Sequence, residues 1–222
     1  MVSLLENGID PDAMMSLMIS AINEINPDDL AFLFASGKSE LEIRNQIGLY
    51  LHRKANSDQI VTREWLRHDL AVLEHGVPKI LIEGKSWIHA DAVNPNKMHS
   101  GKKSIAYGLK QDISKMLKTE SNHSEINKYI TIILFTVDVQ RSSKARTKEA
   151  AITYADSHRR GIKAHGNAVE LAGRGRGALS DLLSGFGIVK RSSLNTGYYH
   201  EFRVEADFFL LKPEATFTAE NA

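Results

Sequence analysis

An α/β fold with a mixed central sheet flanked by helices is predicted from three observations. Segments with a helical apolar period alternate along the chain with segments of strand character. The segment "KYITIILFTVDV" is apolar almost without interruption, as a strand covered on both faces must be. The 222 residues, 42% hydrophobic and 25% charged, can bury one sizeable core.

The elements follow in order. "DPDAMMSLMISAINEIN" opens on Asp-Pro and reads as a helix, and "PDDLAFLFASGK" as a second, shorter one ending at Gly37. "SELEIRNQIGLYLHRK" is a third helix, with Ser39 as its N-cap and Ile43, Ile47 and Leu51 on one face. "QIVTREWL", "HDLAVLE" and "PKILIEGKSW" are three strands, the last two joined by the hairpin connection "HGVP". "GKKSIAYGLKQDISKMLKTE" is a helix and "KYITIILFTVDV" the next strand. A helix around "TKEAAITYADSHRRGI", a glycine-rich turn in "AGRGRGALSDLLSGFG" and a late hairpin in "GYYHEFRVEADFFLLK" complete the chain. In residue numbers, strands are expected near 60–66, 68–74, 79–87 and 129–137, with helices near 40–53 and 102–118.

Composition narrows the function classes. With no cysteine, disulfides, thiolate catalysis and cysteine-based zinc sites are excluded, and a cytoplasmic setting is expected. No apolar run approaches the ~18 residues of a membrane span, and no basic-then-apolar leader is present, so no membrane partner is expected. Charge is uneven along the chain. Residues 1–38 carry six acids and one lysine, whereas residues 141–205 carry twelve Lys and Arg against six Asp and Glu. Three parts are expected: an N-terminal helical extension (1–38), a core (39–140) and a basic C-terminal part packing on it (141–222). The basic surplus suits a polyanion as well as a solvated surface.

Acids interrupt two of the apolar strands. Residues two apart on a strand share a face, so Leu81, Glu83 and Lys85 point one way, and Asp69 lies on one face with Ala71 and Leu73. Pairing through the short hairpin would bring Asp69 across from the Glu83–Lys85 end. Two carboxylates in proximity repel, and a divalent cation relieves the repulsion. The plain alternative is a solvated Glu-x-Lys ion pair at a strand end. On the third helix, an advance of ~100° per residue puts Glu40 among Ile43, Ile47 and Leu51, and Glu42 nearly opposite. A carboxylate on an apolar face needs a partner or a metal, although in a first turn it also favours the helix dipole.

A helix with "SELEIR", then "HD", then "EGK", followed by helix and strand, resembles the PD-(D/E)xK nuclease superfamily over roughly residues 39–137. His68 stands where that family usually has proline. The resemblance implies a restriction-endonuclease-like core and a Mg²⁺-dependent endonuclease acting on DNA, with Mn²⁺ able to substitute. It implies that Asp69 and Glu83 bind the metal, that Lys85 is the catalytic lysine, and that Glu40 is the acid contributed by the first helix. Gln111 corresponds to a polar residue some members place near the site. Cutting both strands would call for a homodimer; nicking would not.

Two basic segments suit phosphates: "RSSKARTKE" with Lys144 and Arg146, and "GRGRG" with Arg174 and Arg176 on a flexible loop. The second is no P-loop, because no Gly-Lys-Ser/Thr follows. His89 and Asp91 are read as loop residues, and Trp65 and Trp87 as core or sheet cover. The competing class is a non-catalytic nucleic-acid-binding or assembly module that retains the fold.

Overall fold

The computed structural model describes residues 10–37, 39–119, 126–139 and 151–214. Helix α1 (Pro11–Ile22) starts where the Ala13 N–H donates to Asp10 Oδ1 at 2.7 Å, with Pro11 already holding a helical φ. Helix α2 (Pro27–Ser36) repeats the device with Asn26 and stops at Gly37, whose φ of 89° is a left-handed cap. Helix α3 (Ser39–Lys54) buries Ile43, Ile47 and Leu51, as their spacing predicts. Ser39 was expected to cap it from outside. It is instead the first helical residue, and its Oγ lies 3.1 Å from Ser86 Oγ, tying α3 to the sheet.

Strands β1 (Gln59–Trp65), β2 (His68–Glu74) and β3 (Val77–Ile88) form an antiparallel meander. The β2–β3 turn places His75 (φ 50°) and Gly76 (φ 78°) in the left-handed region, the geometry of a two-residue hairpin. Short helices α4 (His89–Ala92) and α5 (Pro95–His99) and the longer α6 (Ile105–Lys118) carry the chain to β4 (Asn127–Val137), parallel to β3. Then come α7 (Ala155–His165), α8 (Ala168–Ser184), β5 (Gly187–Ser193), β6 (Tyr198–Tyr199) and β7 (Phe202–Pro213). The sheet runs β1-β2-β3-β4-β7-β5, with β6 pairing β7, and only the β3–β4 neighbours are parallel. The chain is thus α/β with a mixed, open sheet.

Each sheet face has its own core. On one, Met14, Phe34, Ile43 and Ile47 of α1–α3 meet Leu70, Ile82, Tyr129 and Phe208. On the other, Leu109 and Ile113 of α6 and Leu179 and Leu183 of α8 meet Leu81, Ile132 and Phe209. Helices α1 and α2 therefore belong to the main core, and β7 lies within the sheet between β4 and β5. Trp65 and Trp87 pack against the second core. No described helix is long and apolar enough to cross a membrane.

Three local expectations are corrected. The glycine-rich "GRGRG" is no turn: it lies inside α8. Its Gly175 faces α4, where an added Cβ would stand 3.0 Å from His89 Cβ. Close helix packing, not backbone freedom, explains that glycine, and Ala168, Leu171, Ala172, Leu179 and Leu183 continue the buried stripe. His89 and Asp91 are in α4 rather than a loop, and His89 is fully buried. Strand β5 was not anticipated, because "GIVKRSS" alternates weakly and, among the described residues, pairs with β7 alone.

Candidate functional site

The β2–β3 ladder closes at Leu70↔Ile82, while β3 runs on beside β4 to Ile88↔Phe135. Beyond Ile82, one edge of β3 is therefore left without a strand among the described residues. Two acids take the place of strand carbonyls there. The Gly84 N–H donates to Asp69 Oδ2 at 2.7 Å, and the Ser86 N–H donates to the Glu40 carboxylate. A Cβ on Gly84 would lie 3.5 Å from Asp69 Oδ2 and 3.6 Å from Glu40 Cγ, so both acids crowd the same backbone.

Strict alternation would put Asp69 with Ala71 on the α6 face, beside Glu83. The structure corrects this. Leu66 (φ 46°) and Arg67 (φ 72°) turn the β1–β2 hairpin, Glu64 (φ 58°) distorts β1 opposite Asp69, and His68 and Asp69 leave the regular β2–β3 pairing. Asp69 Oδ1 accepts from Arg44 Nη1 of α3 at 2.7 Å. Arg44 Nη2 lies 3.6 Å from Glu64 as well. His68 turns the other way, its Nδ1 2.8 Å from Glu83 Oε1 and its Nε2 2.9 Å from Thr119 Oγ1.

Glu83 and Lys85 point together towards α6, as their spacing predicts. Glu83, 3% exposed, pairs with Lys115, whose ammonium also donates to the Arg67 carbonyl at 3.0 Å. Lys85 Nζ is 3.0 Å from Asp112 Oδ2. Asp69 and Glu83, expected to share a cation, are each paired here with a base of the same chain. The residues meet at one sheet end, but Asp69 is satisfied from the α3 side and Glu83 from the α6 side. Among the described residues, no group of three or more His, Asp or Glu side chains is gathered as a metal site.

Electrostatics still link the two halves. Burial raises the Glu40 carboxyl above its ordinary range, and Asp69 adds to the rise; Lys85, the Ser86 N–H and Arg44 oppose it. Burial pulls the Lys85 ammonium down, but Asp112, Glu40 and Glu83 together outweigh it and leave its pKa raised. Asp112 is raised by burial despite the attraction of Lys85. Lys85 thus stands in the field of acids from both sides of the sheet end.

The α6 residues that reach this cluster are Asp112 and Lys115, whereas Gln111 is exposed. Arg44, His68, Asp112 and Lys115 were not foreseen as site residues. Helical spacing held a partial signal, since Arg44 is four residues after Glu40 and Lys115 three after Asp112. Arg174 is exposed on α8, and Arg176 is turned to buried Asp207 at 3.4 Å. Lys144 and Arg146 lie outside the described residues. Comparison with protein-family models, curated proteins and solved structures finds no match to this chain.

Proposed function

We propose that the chain is a metal-dependent endonuclease hydrolysing phosphodiester bonds in DNA, built on a restriction-endonuclease-like core of the PD-(D/E)xK type. One observation carries the reading: Glu40, Asp69, Glu83 and Lys85, from three separate elements, gather where β2 stops and β3 continues. The element order α3-β1-β2-β3-α6-β4 supports it. The donors are carboxylate oxygens, the chemistry that Mg²⁺ and Mn²⁺ accept. Asp69 and Glu83 would hold the ion, in exchange for Arg44 and Lys115. When bound, such an ion lowers the pKa of a coordinated water and offsets charge on the phosphate oxygens. With its pKa raised, Lys85 remains an ammonium at neutral pH, suited to stabilising phosphate charge rather than to taking a proton. Glu40, held by the Ser86 N–H, is oriented towards the same edge.

Purified protein incubated with supercoiled plasmid and Mg²⁺ tests the reading. Nicking is expected, with its loss in Asp69→Ala, Glu83→Ala and Lys85→Ala and little change in exposed Glu42→Ala. DNA affinity should fall steeply with salt, and removing Arg174, Lys144 or Arg146 should each flatten that slope by about one unit. A second reading, a non-catalytic nucleic-acid-binding or assembly module, is favoured by the pairing of Asp69 and Glu83 with bases of the same chain. Salt-sensitive DNA binding with no nicking in Mg²⁺ or Mn²⁺ would decide for it.

A further inference from the structure

Next to the cluster, a cavity of about 410 Å³ opens, sharing Glu40 and Ser86 with it and adding Asp91, Lys97, Phe135 and Tyr154. Its size falls in the ~300–1,000 Å³ range of small-molecule sites. Its apolar wall includes Phe135, 3% exposed, while Tyr154 at the opening is 60% exposed. Tyr154 also has a φ of 62°, a left-handed conformation that bulky side chains rarely take. An aromatic ring held in solvent by an unfavourable backbone conformation contributes little to the fold, and so points to contact with something else.

The polar groups select the occupant. Glu40 and Asp91 are both half-buried acids, and burial raises both carboxyls, with Lys97 opposing the rise at Asp91. Among the described residues, nothing donates a hydrogen bond to the Asp91 carboxylate. Two acids repel a phosphate from the interior but welcome a neutral group with N–H donors, since an ionised carboxylate only accepts. Lys97, exposed at the rim, is the group that can meet a phosphate outside.

We propose that this cavity receives one unpaired nucleobase of the nucleic-acid substrate, stacked on Tyr154 with its amino edge turned to Asp91. Guanine fits best, because its Watson–Crick edge presents two adjacent N–H donors. Thymine offers one N–H flanked by two carbonyls, which a carboxylate repels. Aromatic stacking accepts any base, so Tyr154 supplies affinity and Asp91 the choice among bases. The inference rests on the nucleic-acid reading of the adjoining acids, and it assigns the base that sits beside the bond to be cut.

The test is metal-free titration of the full chain with dGMP and dTMP, followed by saturation-transfer NMR and calorimetry. dGMP should bind at least tenfold more tightly than dTMP. Asp91→Ala should remove that preference, and Tyr154→Asn, which tolerates the left-handed backbone, should weaken both nucleotides about tenfold or more. Tyr154→Phe should retain wild-type binding. Far-UV circular dichroism on each variant checks that the fold is intact. Equal binding of dGMP and dTMP, indifference to both substitutions, or capture of arginine amide in place of dGMP would overturn the assignment. Plasmid nicking without dGMP preference would sink this pocket alone, whereas dGMP preference without nicking would sink the nuclease reading and leave the pocket standing.

Discussion

Replacing Lys115 with methionine keeps most of the apolar stem and removes the ammonium that faces Glu83. The remaining neighbour of Glu83 Oε1 is then His68 Nδ1 at 2.8 Å, with Glu83 only 3% exposed. Two unit charges about 3 Å apart at an effective dielectric near 20 attract by roughly 5 kcal/mol. Lys115 keeps 33% of its side chain in water, so solvent screens part of that and desolvation offsets more. Removing one partner of a buried pair costs ~3–5 kcal/mol when both are fully enclosed. For this half-open pair, the expected loss is about 2–3 kcal/mol. Adding Glu83→Gln should return most of it, because the amide has no charge to leave uncompensated, giving a coupling of about 2 kcal/mol across the double-mutant cycle. Urea unfolding at pH 7, followed by circular dichroism, measures all four proteins. A loss under about 0.5 kcal/mol with no coupling would refute the account of Glu83 as a buried carboxylate held by Lys115.

Other substitutions probe the same physics elsewhere. Burial raises the Glu40 pKa, so the folded chain holds that proton more tightly than the unfolded one. Its ionised form therefore costs stability as pH rises above the ordinary value of 4.5. Glu40→Gln should melt at a higher temperature at pH 7, with a difference that shrinks towards pH 4, while nicking slows. Buried His158 is pushed down to about 3 from 6.5, by burial and then by His89. The unfolded state binds its proton first, so stability should fall as pH drops below 6.5, by about 2 kcal/mol at pH 5, at roughly 1.4 kcal/mol per unit. His158→Gln should flatten that fall in urea titrations at pH 5 and pH 7. In α8, Ala at Gly173 or Gly177, where a Cβ meets nothing within 4 Å, should stabilise by about 0.5–1 kcal/mol. Gly175→Ala, pressed to 3.0 Å from His89, should instead cost about 1–3 kcal/mol in the same unfolding assay.

Local periodicity carried much of the architecture. The apolar spacing of Ile43, Ile47 and Leu51 specified α3 and its buried face. The alternation and turn residues of residues 68–88 specified β2, β3 and their hairpin, because strand faces and left-handed turns are decided within a few residues. The common direction of Glu83 and Lys85 and the contrast of half-buried Glu40 with exposed Glu42 were legible for the same reason.

What depended on distant neighbours was not legible. Glycines at 173, 175 and 177 have the local signature of a turn, yet the stripe buried against α4 and the sheet makes that segment a helix. Strand β7 could be read as one arm of a hairpin, but its pairing with β4 joins residues more than 60 apart, which no window of sequence reports. The side taken by Asp69 was decided by the strained turn at Leu66 and Arg67 and by Arg44, a residue 25 positions away. Sequence therefore determined which acids stand at the end of β2 and β3, because side-chain alternation is local. Tertiary structure alone decided which base each acid meets, because a buried charge is settled by whatever the fold brings within reach.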